Sequence, residues 1–350
     1  MAYTTINKST DYFNTKLYTG NGGTQSITGV GFQPDFTWLK GRSFADYHVV
    51  NDAVRGATKS IYPNDTASEG TQTNGLTSFD SDGFSIGNWS NINPNGGTLA
   101  SWNWKAGTTS GISAGTQTIT PTAYSINTTA GFGIYAYEGS GGVSNHTISH
   151  GLGQKPSVIL IKRRTSEKDW TMYHSSIGAT KYLELNNTNA EATDSTVWGN
   201  TEPTSSVFTI GSNTQVNANP GDTIIAYCFA EKQGYSKFGS YVGNGNADGT
   251  FIYTGFKPAF LMIKCTDATR SWQIHNSKSS TFNTGNTNAR LFANLSDAEA
   301  NNSSLDLLSN GFKNRANDDV NTNGNGNSYI YMAFAEAPLV GTNGVTAKAR

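Results

Sequence analysis

The chain has 350 residues with 24 basic and 25 acidic side chains, a formal net charge of -1, only 14% charged residues and 11% aromatic ones. That length suits two or three domains; the aromatic content and low charge exclude a disordered chain. Balanced charge with no basic run leaves no electrostatic footprint for a nucleic-acid partner. Cys228 and Cys265 are too few for a disulfide framework and read as two buried thiols on strands. The polar start and the lack of any run near 18 apolar residues predict a soluble chain with no signal peptide and no membrane insertion.

In chain order, the first strand is expected near Tyr12 to Tyr18, followed by the turn Thr19-Gly20-Asn21-Gly22-Gly23. Gly31-Phe32-Gln33-Pro34 then opens a strand that ends at Lys40. Glycine permits a sharp bend, and proline fixes φ and removes a donor where the strand starts. The same phrase returns as Gly153, Pro156 and Lys162, and again as Gly255, Pro258 and Lys264, at one spacing. In the second and third copies the run between proline and lysine is almost wholly apolar, as in a strand covered on both faces. The three lysines read as strand-end residues snorkelling from an apolar surface.

Other landmarks keep step with this phrase. From the motif proline to a later phenylalanine the interval is 50, 52 and 54 residues, at Phe84, Phe208 and Phe312. A closing aromatic follows 20, 21 and 22 residues later, at Trp104, Phe229 and Phe334. Upstream, Tyr18, Tyr137 and Tyr241 each precede a glycine-rich turn. The closing strands, near Leu99 to Lys105, Ile224 to Glu231 and Tyr329 to Glu336, alternate large with small or polar residues, which predicts one core face. The stretch between proline strand and phenylalanine reads as the variable part of each unit. In the third copy, Ser296 and Glu299 have capping-box spacing and suggest a turn of helix within Leu291 to Ala300.

The repeats predict an all-β protein of three tandem β-sandwich-like units, immunoglobulin-like or jelly-roll. Their boundaries are 1–106, 132–233 and 234–337, with a linker or added strand at 107–131 and a polar tail at 338–350. Four site readings accompany this fold. His48, His174 and His275 follow the motif prolines at 14, 18 and 17 residues; these drifting offsets favour structural histidines over a metal site. Asp80-Ser81-Asp82-Gly83 lacks the later ligands of a calcium loop and reads as a tight turn. Glu231 and Glu336 mark one structural position twice rather than a glycosidase pair. Trp89 and Trp198, in Asn- and Gly-rich loops, are the aromatics expected to be exposed for stacking on a sugar. No catalytic residue, metal or cofactor is expected.

Several stretches carry a resemblance to a known family: Ala2-Tyr-Thr-Thr-Ile, Tyr12 to Gly22, Val54-Arg55-Gly56, Leu76 to Phe84, Trp102 to Gly107, and Gly151-Leu152-Gly153 with Pro156 and Val158 to Lys162. With these residues the chain resembles phage virion proteins, common in marine bacteriophages, known as tail-fibre, head-fibre or unspecified structural proteins. The resemblance spans essentially the whole chain. It implies a virion surface location after synthesis in the host cytoplasm, as fibre, spike or capsid decoration. It also implies other virion proteins as partners, a homotrimer if the protein is a fibre, and a host surface glycan as a further partner.

Overall fold

The computed structural model describes residues 4–112, 117–142, 145–279, 288–301, 304–317 and 319–340. The first residues of the Ala2-Tyr-Thr-Thr-Ile stretch, part of the 107–131 spacer and most of the polar tail lie outside them. The protein is all-β and its strand pairs in sheets are antiparallel, with one four-residue α-helix, Ser195–Trp198, and one 3-10 turn, Ser9–Asp11, among the described residues.

Three large sheets use the same strand order: opening, closing, proline, return. In the first these are Phe13–Thr19, Thr98–Trp104, Phe36–Gly41 and Val49–Asp52. In the second they are Phe132–Glu138, Thr223–Phe229, Val158–Arg163 and Thr171–His174, and in the third Ser236–Val242, Ser328–Pro338, Phe256–Cys265 and Gln273–Asn276. Within the 107–131 spacer, Ala123–Asn127 adds an edge strand to the second sheet. Gly31, Gly153 and Gly255 all have φ between 68° and 92°, a region in which a Cβ is penalised, and this explains the motif glycine. Pro258 lies within its strand, at a register shift where the missing N–H breaks no regular ladder bond.

Each large sheet is faced by a small one. Gln25–Thr28 pairs with Gly83–Ile86, His146–Ser149 with Val207–Ile210, and Phe251–Tyr253 with Gly311–Asn314. Phe84, Phe208 and Phe312, all fully buried, centre the three resulting cores.

The closing strands bury both faces, where one core face was expected from alternation. Leu99, Ala226 and Ala333 face the outer cores, while Trp102, Tyr227 and Met332 face a fourth cluster built from all three large sheets. Trp104, Phe229 and Phe334 form a triangle at its centre: ring centroids are 6.2 Å apart for the first pair, 5.8 Å for the second and 5.3 Å for Trp104 and Phe334. Such pairs contribute about 0.5–1.5 kcal/mol beyond area burial. The three-fold recurrence of a terminal aromatic follows from each sheet supplying one ring to a shared centre.

Candidate functional site

The repeated polar residues meet where one sheet system abuts the next. Lys162 is fully buried, and its Nζ donates to Lys168 O at 2.7 Å and, across the junction, to Thr66 O at 2.8 Å. Lys264 donates in the same way to Arg270 O at 2.8 Å and Thr188 O at 3.1 Å, and Lys40 to Asp46 O and Ser296 O, each at 3.0 Å. These lysines therefore do not snorkel. An ammonium needs acceptors when removed from water, and two carbonyls provide them. Burial pushes all three side chains down from 10.5 to about 8.

The segment that each lysine grips is held by further groups of the gripping unit. Lys168 N donates to Thr66 O at 2.9 Å and Glu69 N to Arg164 O at 2.9 Å, a short backbone pairing between the second and first systems. Trp170 Nε1 donates to Tyr62 O at 2.8 Å, and Arg164 makes a bidentate pair with Glu69 at 2.8 and 2.9 Å. At the third-to-second junction, Arg270 N meets Thr188 O, Glu191 N meets Thr266 O, and Trp272 Nε1 donates to Glu184 O at 3.1 Å. At the first-to-third junction, Asp46 N meets Ser296 O, Glu299 N meets Arg42 O, His48 Nε2 donates to Phe292 O at 2.9 Å, and Arg42 pairs with Glu299 at 2.9 and 2.6 Å. First grips third, second grips first and third grips second, so head-to-tail contacts close a ring within one chain.

The gripped segments share Asn-x-Ser/Thr-x-x-Glu: Asn64, Thr66, Glu69; Asn186, Thr188, Glu191; Asn294, Ser296, Glu299. The asparagine orients the gripping ring of its own unit, accepting from His48 N at 2.9 Å, Trp170 N at 2.7 Å and Trp272 N at 2.8 Å. This motif lies inside what reads from sequence as the variable region. Its proline offset is 30, 30 and 36, and that six-residue slip hides it. Ser296 and Glu299 consequently cap no helix; they lie between strands Ala289–Phe292 and Ala300–Asn301. In the third-to-second junction Thr266 replaces the arginine, and Glu191 pairs with Lys181 of its own unit.

The three histidines are not one repeated position. His48 occupies the place of Trp170 and Trp272, each 14 residues after its proline. Its Nδ1 accepts from Trp38 Nε1 at 2.8 Å, so Nε2 carries the proton it gives to Phe292 O. His174 pairs in register with Val158, and His275 with Leu261. Burial lowers all three, His174 and His275 to about 4. No group of three or more metal-ligating side chains occurs among the described residues.

Beside the second-to-first junction lies a buried charged network. Asp52 Oδ2 accepts from Arg55 Nε at 2.5 Å and from Tyr227 OH of the second sheet at 2.7 Å, and Arg55 also reaches Glu69 at 3.2 Å. Arg55 belongs to the Val54-Arg55-Gly56 stretch, whose role is thus to tie two sheets together. Glu69 is pushed up by burial, but its bonds and charges with Arg164 and Arg55 hold it below the usual carboxylate value.

The remaining sequence-predicted residues have local roles. Ser81 and Asp82 form a two-residue hairpin turn between Leu76–Asp80 and Gly83–Ile86, and the Asp82 carboxylate accepts Gly29 N at 2.9 Å and Gly31 N at 2.7 Å. Glu231 pairs with Lys237 at 2.7 Å and Glu336 with Lys257 at 3.0 Å. Cys228 and Cys265 are buried free thiols. Tyr18, Tyr137 and Tyr241 donate to Ile92 O, Val216 O and Thr322 O, anchoring the loop before each closing strand. Trp198, expected on the surface, is only 1% exposed; it ends the short helix and packs edge-on against Tyr173 at 5.8 Å. It cannot stack on a ligand. Trp89 is half-buried and meets Tyr62 edge-on at 6.5 Å.

Two clefts are notable. One of about 540 Å³ between the first system and the spacer contains Asp35. Burial raises this carboxyl, whose oxygens already accept from Ala106 N at 2.8 Å and Ser125 Oγ at 3.2 Å. A second, more open cleft of about 430 Å³ lies at the first-to-third junction, between Asp46, Tyr47 and Asn64 on one side and Asn294 to Ser296 on the other.

Residues 8–338 match the profile of a family described as Domain of unknown function (DUF7483). No curated protein and no solved structure matches the chain.

Proposed function

We propose that this chain, which belongs to the DUF7483 family, is a non-enzymatic structural protein on the surface of a bacteriophage particle, as tail fibre, spike or capsid decoration. The supporting observation is that its repeated lysines, ring N–H groups and arginine–glutamate pairs are engaged in closing the chain on itself. A chain whose polar groups are spent on internal closure suits a displayed structural part, with binding left to its surface loops. Other virion proteins are its proposed partners, with a homotrimer if it forms a fibre. Immunogold electron microscopy and peptide mass spectrometry of purified particles test the location; absence from the particle rejects it. The second reading, a carbohydrate-binding adhesion module, is favoured by the aromatic side chains at the first-to-third junction.

A further inference from the structure

The three junctions are alike in the groups that hold them and unlike in what borders them. In the first unit, Tyr47 stands between the backbone-pairing residue Asp46 and the gripping ring His48; the same place holds Asp169 in the second unit and Ser271 in the third. Tyr62, which accepts from Trp170, is replaced by Glu184 and Phe292. Trp89 O accepts from Ile92 N and Asn93 N, and the same turn is made by Asn213 and Asp319. The first unit alone therefore places aromatic rings at all three positions.

These rings are in contact. Tyr47 and Tyr62 lie 5.5 Å apart at 54°, and Tyr62 meets Trp89 at 6.5 Å and 72°. Tyr47 is 44% exposed and lines the 430 Å³ cleft, while Tyr62 and Trp89 support it from behind. The cleft also has oriented polar groups. Asp46 Oδ1 accepts from Tyr47 N and Asn91 Nδ2, both at 2.8 Å, so Oδ2 keeps its acceptor capacity. Asn64 uses its carbonyl on His48 N, leaving its amide hydrogens, and Ser296 is exposed opposite.

We propose that this cleft is a binding site for a neutral saccharide, with Tyr47 as the stacking platform and Asp46, Asn64 and Ser296 as hydroxyl partners. A sugar ring presents an apolar C–H face and a rim of hydroxyls. The cleft presents one exposed aromatic face bordered by an acceptor, an amide donor and a hydroxyl. Its volume falls within the range of small-molecule sites. The proposal rests on the surface-protein reading only for its biological setting, a glycan met outside the particle.

The test is ligand-observed saturation-transfer NMR on the purified full chain with a panel of neutral hexose and N-acetylhexosamine oligosaccharides, with titration of any that respond. At least one is expected to bind, and Tyr47→Ala to weaken it by about tenfold or more, as for a central aromatic anchor. Tyr47→Phe should retain binding, and Tyr253→Ala, an exposed aromatic on another sheet, should leave it unchanged. Tyr47 is exposed, so its variants are expected to fold, and their thermal unfolding serves as the control. No binding by any member of the panel at millimolar concentration overturns the proposal, as does binding by Tyr47→Ala equal to that of the parent chain. Either result leaves the particle-location test unaffected.

Discussion

Lys162→Met asks whether the buried amine, rather than its apolar stem, closes a junction. Methionine preserves much of the stem and removes both donors to Thr66 O and Lys168 O. A hydrogen bond from a charged group contributes about 1.5–3 kcal/mol. Against this, lowering the side chain from 10.5 to about 8 corresponds to a cost of about 3 kcal/mol for burying the ammonium. The opposing terms leave a net loss of about 1–2 kcal/mol expected for the variant near pH 7. Dependence on pH separates the two terms. Because the folded value lies below the unfolded one, the unfolded chain binds more protons between about pH 8 and 10.5, and stability rises with pH there. Below about pH 8 both states are protonated and the penalty is fully present. A neutral amine still has two hydrogens for its two carbonyls, so the contacts survive deprotonation. From about pH 7 to 9 this lysine should add about 1 kcal/mol to the parent chain and nothing to the variant. Urea unfolding of both proteins across that range, followed by tryptophan fluorescence, should show the stability gap widen by that amount. Parallel pH profiles would refute the reasoning.

Three further outcomes follow from the same contacts. Trp104→Ala should cost about 3–5 kcal/mol because it empties the junction of three sheets, whereas Trp104→Phe, which removes a buried Nε1–H without a partner, should cost far less; equal losses in urea would contradict the shared centre. Glu69→Gln should destabilise the chain at neutral pH and flatten its acid dependence. The depressed carboxylate contributes stability that is present above its unfolded value and lost as pH falls through its folded one, so unchanged acid melting would count against the role of this pair. The excised stretch 132–233 should fail to fold as a monomer, since its inner face would expose Phe132, Leu160, Tyr227 and Phe229. A dispersed proton NMR spectrum from that fragment would reject this expectation.

The all-β class, the proline strands, the closing strands and the spacing of Phe84, Phe208 and Phe312 are legible in the residue order, because strand alternation, turn glycines and proline positions act locally and leave period-two and fixed-interval signals. That order does not reveal what those intervals are for. Trp104, Phe229 and Phe334 read as ends of three separate strands, and only the tertiary structure brings them into one triangle. Lys40, Lys162 and Lys264 read as surface cations because their acceptors Ser296, Thr66 and Thr188 are main-chain carbonyls, which any residue type supplies. For the same reason sequence pairs His48 with His174 and His275 rather than with Trp170 and Trp272: two unlike rings do one job, donating an N–H to a neighbour's carbonyl. Trp198 shows the converse, a tryptophan in a polar loop that the tertiary fold turns inward. Local geometry is written in residue types, whereas the closure of the ring depends on backbone groups brought together across the whole chain, and only the folded structure decides those.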